Sequence, residues 1–329
     1  MCNPKKHFVL LGGALLFAAL VACSAPRNNP LDANNPDRKL SGIEGKVLSL
    51  SLPHRPIAGA EVEFPSGQRL TFSDTHGRFS LANVHRYNGW LHVAKPGFHA
   101  DSLYLQWDHA PQWHGELYLN AVPRVDSLIF YSSLINRYPS IQILELFVKV
   151  RLSDADKDID SVLFESPTLH FSSILIYDTM DRFYEREHIP MSRLNVQSAE
   201  EIIGHRFRIM VKDTYGHCDT VQTTEIRRII RDEVQLKSPA GHDTVSTTPT
   251  LYWEPITPGY SFTYTVEVRT DEADPQLVWQ KTGLPSGTSS VRVDVPLPES
   301  PNNNYIWAVW VIDSFGNRAR SKFKSFQVQ

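Results

Sequence analysis

The chain has 329 residues, 33 basic and 36 acidic side chains, and a formal net charge of -3. Its 41% hydrophobic content excludes a disordered chain, and 17 glycines with 22 prolines exclude collagen-like or low-complexity sequence. The charge gives no electrostatic reason to expect nucleic-acid binding, and three cysteines cannot build a disulfide scaffold.

At the start of the chain, Lys5 and Lys6 precede an apolar run from Phe8 to Val21. That run is too short to cross a ~30 Å hydrocarbon core as a mature helix. It has the length and flank of a secretory signal segment. It closes with Leu20-Val21-Ala22-Cys23, which resembles the lipobox of bacterial lipoproteins. The resemblance implies a signal peptide over residues 1–22, cleavage before Cys23 and acylation of the Cys23 thiol, with palmitate or a similar chain. Two or three acyl chains would give stable anchoring in a membrane, where one binds only marginally. Ser24 stands where an Asp retains enterobacterial lipoproteins in the inner membrane, which points to the outer membrane. Loss of the signal removes Lys5 and Lys6, leaving 31 basic against 36 acidic side chains and a net charge of -5. Cys2 leaves with the signal and Cys23 is capped, so Cys218 is the one thiol left for a mature chain.

Ser24 to Lys39 contains Pro26, Asn28, Asn29, Pro30, Asn34, Asn35 and Pro36 and almost no apolar side chains. Such a stretch cannot bury enough surface to order itself, so residues 23–39 are expected to form a lipidated, disordered tether. Beyond it, period-2 alternation recurs between closely spaced turn residues, the pattern of all-β sandwiches. The expected fold is three tandem β-sandwich domains, over residues 40–122, 123–231 and 232–329.

In the first domain, Ile43-Glu-Gly-Lys-Val47 and Pro56-Ile-Ala-Gly-Ala-Glu-Val-Glu-Phe64 read as strands, with Ala60, Val62 and Phe64 on one face. Thr71 to Leu81 reads as a hairpin around Asp74-Thr-His-Gly77. Leu91-His-Val93, Lys95-Pro-Gly-Phe98 and Asp101 to Leu105 follow. The Gly-x-Val start, Pro-Ile-Ala-Gly-Ala-x-Val, Ser-Asp-x-x-Gly-x-Phe-Ser-Leu and the late Lys-Pro-Gly-Phe together resemble the carboxypeptidase regulatory-like (transthyretin-like) domain. That resemblance implies a small sandwich without catalytic residues. Trp107 to Gly115 departs from it and reads as an extra loop before a last strand, Glu116 to Leu119.

In the second domain, Ile141 to Leu152, Ser161 to Glu165, His170 to Tyr177 and Arg206 to Lys212 read as strands of an Ig-like sandwich. Thr179 to Gly204 lacks clear patterning, apart from one short turn of helix at Ser198 to Gly204. In the third domain, Ser238-Pro-Ala-Gly-His-Asp-Thr-Val, Thr248 to Trp253 and Tyr264 to Val268 resemble a bacterial fibronectin type III-like domain. That class places a core tryptophan at Trp253. Tyr305, Trp307, Val309 and Val311 share one strand face. Asp74-Thr-His-Gly77, Asp213-Thr-Tyr-Gly216 and Asp313-Ser-Phe-Gly316 repeat one four-residue turn, with Asp placed to cap it and Gly where positive φ is wanted.

Three groups of residues carry candidate chemistry. Asp154-Ala-Asp-Lys-Asp-Ile-Asp160 sets carboxylates at every second residue, and like charges so close call for a cation or a turn that spreads them. Asp154, Asp156 and Asp158 are the expected Ca2+ ligands, with Asp213 a more distant one. Glu165 matches position twelve of an EF-hand loop, but Ile159 stands where such a loop requires Gly, and a strand follows in place of a helix. Trp107 and Trp113 bracket a loop and could stack on sugar rings or pack in the core. The histidines have no zinc-finger spacing, and Cys218 beside His217 lies in a turn entering a strand. No nucleophile elbow, His-Glu-x-x-His, Walker loop or dinucleotide fingerprint is present.

The expected function is therefore non-catalytic: binding or architecture at the cell envelope, with the membrane as partner through the N-terminal lipid. An accessory carbohydrate-binding role for the first domain is the alternative. A hydrolase with an unrecognised site within 179–204 is a third.

Overall fold

The computed structural model describes residues 40–107, 112–300 and 303–329. The expected signal peptide, Cys23 and the tether lie outside the described residues. The described chain is all-β, with strands and single-turn 3-10 helices and no α-helix among the described residues. It divides into two compact units, one ending at Ala121 and one running from Val122 to Gln329.

The first unit holds β1 (Leu40–Ser49), β2 (Glu61–Phe64), β3 (Arg69–Phe72), β4 (Arg78–His85), β5 (Gly89–Ala94), β6 (Asp101–Leu105) and β7 (Gln112–Leu119). They form two sheets, β4-β1-β7 and β3-β2-β5-β6. Alternation decides which side chains lie between them. Ile43 and Val47, Val62 and Phe64, Phe79 and Leu81, Leu91 and Val93, and Leu117 and Leu119 are all buried in one core. Ala60, Val62 and Phe64 share the inner face, as their spacing requires. Gly45 and Gly115 face each other across the parallel β1–β7 pair. A Cβ on Gly45 would lie 2.3 Å from the Gly115 carbonyl oxygen, so the close approach of the two strands depends on a bare backbone there.

Two expectations in this unit need correction. Thr71 to Leu81 is not a hairpin: β3 pairs with β2 in one sheet, whereas β4 pairs with β1 in the other. The turn between them carries the chain from sheet to sheet. Ser73 makes the crossing possible by accepting from the Ala60 N–H at 2.9 Å and donating to the Ile57 carbonyl at 2.6 Å, which supplies bonds the ladder does not. Nor is the whole of Trp107 to Gly115 a loop, because β7 begins at Gln112 and pairs in register with Gly42 onward.

The second unit holds β8 (Arg124–Arg137), β9 (Ile141–Ser153), β10 (Ile159–Ser166), β11 (Phe171–Asp178), β12 (Phe183–Pro190), β13 (Arg206–Asp213) and β14 (Cys218–Glu225). It continues with β15 (Gln235–Ser238), β16 (Thr244–Val245), β17 (Thr250–Glu254), β18 (Phe262–Thr270) and β19 (Leu277–Pro285). The last strands are β20 (Ser290–Arg292), β21 (Asn304–Asp313), β22 (Arg318–Arg320) and β23 (Lys324–Val328). One hydrogen-bonded path runs β14-β13-β10-β11-β12-β9-β8-β22-β21-β18-β19, with β23 also on β21 and β16 on β23, and β15-β17-β20 form a separate sheet.

The early part of that path curls on itself. Phe130 of β8 reaches Phe164 of β10 and Phe207 of β13, with ring centroids 5.0 Å away in both cases. Phe164 and Phe207 stack at 5.1 Å. In the later part, Trp253 of β17 meets Tyr264 of β18 edge-on at 5.5 Å, joining the small sheet to the large one. Trp253, Tyr305, Trp307, Val309 and Val311 are all buried, in line with their alternation.

Residues on both sides of 231 share a single core. Ile226, Ile230 and Val234 are buried in it, so the segment between the two expected domains is packed and not a free linker. β22 pairs in parallel with β8, with Arg318 opposite Ser133 and Arg320 opposite Ile135.

Candidate metal centre

The Asp-rich run is the connection between β9 and β10. Lys157 adopts φ +62°, which turns the backbone sharply inside the run. The Asp158 N–H donates to Asp154 Oδ2 at 3.1 Å, closing the loop through a side chain. With the loop closed, one carboxylate oxygen each from Asp154, Asp156 and Asp158 lie within 4.8 Å of one another. This is the one group of three or more such side chains among the described residues.

Burial makes the arrangement costly. Asp158 is only 7% exposed, and both of its carboxylate oxygens are buried without a donor. Asp154 Oδ1 is buried without a donor as well. Burial, and then the negative charges of Asp156 and Asp154, push the Asp158 carboxyl up to about 7. Burial also raises the Asp154 carboxyl, against the lowering effect of the Asp158 N–H. Among the described residues, neither Asp154 nor Asp158 has a Lys or Arg as ion-pair partner.

Neighbouring acids take other roles. Ile159 of β10 lies opposite Asp213 of β13, and the Thr214 N–H donates to the Asp158 carbonyl at 2.9 Å. This brings the Asp213 turn beside the cluster. Asp213 Oδ1 accepts from the Tyr215 and His217 N–H groups at 2.8 and 2.9 Å, and Oδ2 lies 3.3 Å from His217 Nδ1. Asp213 thus closes its own turn and adds negative charge near Asp158. Asp160 is exposed and lies 3.9 Å from Lys212 Nζ, off the cluster. Glu165, the EF-hand-like position, is ion-paired to Arg208 on the neighbouring strand.

The tryptophans fall differently. Trp107 and Trp113 both pack against the first unit's core, and Trp107 Nε1–H donates to the Tyr87 carbonyl at 2.9 Å. The open aromatic surface of that unit lies on the outer face of the β3-β2-β5-β6 sheet. There Trp90 of β5 pairs with Tyr104 of β6, at 52% and 45% exposure, with centroids 5.3 Å apart. His92 and Ser102 stand beside them, 2.7 Å apart. Sequence reasoning passed over Trp90, although strict in-out alternation with the core residue Leu91 was the available clue.

The region 179–204 contains β12, not only irregular chain, and a 3-10 turn at Ala199–Ile202 with a Ser198/Glu201 capping box. A cleft of about 590 Å3 beside Pro190 to Ala199 has no carboxylate in its lining. A hollow of about 470 Å3 is lined by Asp178, Glu185 and Glu187, but both glutamates are held by Lys149, at 2.8 and 3.0 Å. Cys218 is an exposed free thiol at the start of β14.

No family model matches the chain, and no curated protein matches it. Among solved structures it is similar to the fibronectin(III)-like modules of Clostridium thermocellum CbhA, at 11% identity and TM-score 0.29, over 63% of this chain and 93% of that one. It is also similar to the FN1-FN3 domains of chicken CNTN1, at 10% identity and TM-score 0.28, over 84% and 92% of the two chains. The major pilin subunit of Bacillus cereus gives 6% identity and TM-score 0.27, over 85% and 92%. Likeness at this level says nothing about function; the all-β sandwich architecture rests on the strand pairing described above.

Proposed function

We propose that this protein is a lipid-anchored component of a bacterial cell envelope, most consistent with the outer membrane, which presents β-sandwich modules for binding or architecture and does no catalysis. The observation that carries the reading is the succession Lys5-Lys6, the Phe8–Val21 apolar run and Leu20-Val-Ala-Cys23, followed by Asn- and Pro-rich chain up to β1 at Leu40. Sixteen residues between anchor and first strand can span at most about 55 Å. A tether of that length would let the folded modules stand clear of the headgroups. In a bacterial host, the wild-type chain is expected to enter the detergent phase on Triton X-114 partitioning and to carry acyl chains by mass spectrometry. Cys23→Ala is expected in the aqueous phase without them. Acylation that persists in Cys23→Ala would sink the anchor.

A second reading, carbohydrate contact by the first unit, is favoured by the exposed Trp90–Tyr104 pair. Aromatic faces open to solvent can bury the apolar face of a sugar ring. Trp107 and Trp113 have part of their surface committed to the core. On affinity gels containing envelope or plant polysaccharides, retardation is expected to fall in Trp90→Ala and Tyr104→Ala. No retardation of the wild type by any glycan ends this reading.

A further inference from the structure

We propose that Asp154, Asp156 and Asp158 bind one Ca2+ ion, and that this ion fixes the β9–β10 loop against the β13–β14 turn of the second unit. A group of acidic side chains alone would not carry this. The second observation is Asp158: it is more than nine-tenths buried, sits in the group, and has no donor for either oxygen. Buried polar atoms are normally satisfied, and a buried carboxylate without a partner is among the costliest groups a fold can hold. Here two more carboxylates converge on the same point. A cation at that point satisfies the orphaned oxygens and cancels most of the repulsion in one step.

The donor chemistry selects the ion. All the side-chain donors are carboxylate oxygens, which suit hard cations and not Zn2+ or Cu2+. Three carboxylates, each able to bind through one or two oxygens, leave room for water in the six-to-eight-oxygen shell that Ca2+ takes. Mg2+ demands near-ideal octahedral geometry and sheds its water reluctantly. The structural consequence follows from the chain path. The Asp158 carbonyl already holds the Thr214 N–H, so an ion on the Asp158 side chain locks both connections at that end of the sheet.

The test uses the full mature chain after chelator treatment, titrated with CaCl2 by calorimetry and followed by thermal melting. The wild type is expected to bind one ion with a Kd on the order of 10⁻⁴ M, the range of extracellular modules. Its melting midpoint should rise by about 5 °C or more in about 10 mM Ca2+. Asp158→Asn is expected to lose both responses while melting, in chelator, no lower than the wild type, because it removes an uncompensated charge. That result separates loss of binding from failure to fold. Asp160→Asn should bind like the wild type. Trypsin should cut at the exposed Lys157 faster in chelator than in Ca2+. Wild type with no heat and no shift overturns the proposal, as does binding that survives Asp158→Asn, loss of binding in Asp160→Asn, or preference for Zn2+ over Ca2+.

Discussion

Replacing Asp313 by Ala is expected to destabilise the second unit by about 3 kcal/mol, whereas the same change at Asp74, in the same type of turn, shifts melting far less. The two turns are built alike. Asp74 Oδ1 accepts from the His76 and Arg78 N–H groups, each at 2.8 Å. Asp313 Oδ1 accepts from the Phe315 and Asn317 N–H groups, at 2.9 and 3.0 Å. Gly77 and Gly316 adopt φ +73° and +86°, where any Cβ is disfavoured. The environments differ. Asp74 is exposed, so water replaces its bonds when the side chain is removed. Asp313 is buried, and its Oδ2 also accepts from Arg228 Nη1 and Asn317 Nδ2, both at 3.2 Å. Removing it strands Asn317, which in turn holds the Ser132 N–H and hydroxyl of β8 at 3.0 and 3.1 Å. The loss therefore spreads from one turn into the β8–β22 seam. Scanning calorimetry of the full chain checks this: a drop of roughly 6–12 °C in the second unit's transition is expected for Asp313→Ala. Equal shifts for the two variants would refute the argument.

That comparison also marks how far the sequence could be read. The three Asp-Ser/Thr-x-Gly turns were legible because their geometry is local: carboxylate, two backbone N–H groups and a glycine lie within five residues. The inner face of β2 was legible because alternation there is unbroken, and that of β21 because its large side chains Tyr305, Trp307, Val309 and Val311 fall at every second residue, although Ala308 between them is buried as well. Asp154, Asp156 and Asp158 converge as their spacing suggested, since a short loop leaves few other places for them. The depth of Asp158 was not legible, because it depends on β13 and its turn, about fifty residues later in the chain.

Other elements were hidden for the opposite reason. β12 reads Phe183-Tyr-Glu-Arg-Glu-His-Ile-Pro190, and two of its acids are matched by Lys149 on β9, so charge pairing takes the place of apolar alternation. β8 was missed because Ser132, Ser133 and Asn136 are buried within it. Buried polar residues break a hydrophobic pattern, and what satisfies them lies far along the chain. Asn136 Nδ2 donates to the Arg320 carbonyl at 2.9 Å, and Ser132 depends on Asn317. Those bonds tie the halves on either side of residue 231 together.

Trp307→Ala should be the most damaging single change in the second unit, costing about 3–5 kcal/mol. Trp307 is fully buried in β21, between β18 on one side and β23 on the other, opposite Val268 and Lys324. Its Nε1–H donates to the Pro239 carbonyl at 2.9 Å, so the indole also ties the chain just after β15 into the core. Truncation removes a large apolar volume, leaves that buried carbonyl without its donor, and opens a cavity the rigid sheet cannot close. Trp310, three residues on, provides the control. It lies on the opposite face of the same strand, half-exposed, with the Arg320 guanidinium 5.9 Å from its ring. Trp310→Ala is expected to cost less than about 1.5 kcal/mol, as surface changes do. Trp307→Phe should fall between them, keeping most of the volume but not the hydrogen bond. Urea unfolding followed by circular dichroism orders the three. A Trp310→Ala variant as unstable as Trp307→Ala would mean that β21 does not present its faces as its alternation dictates.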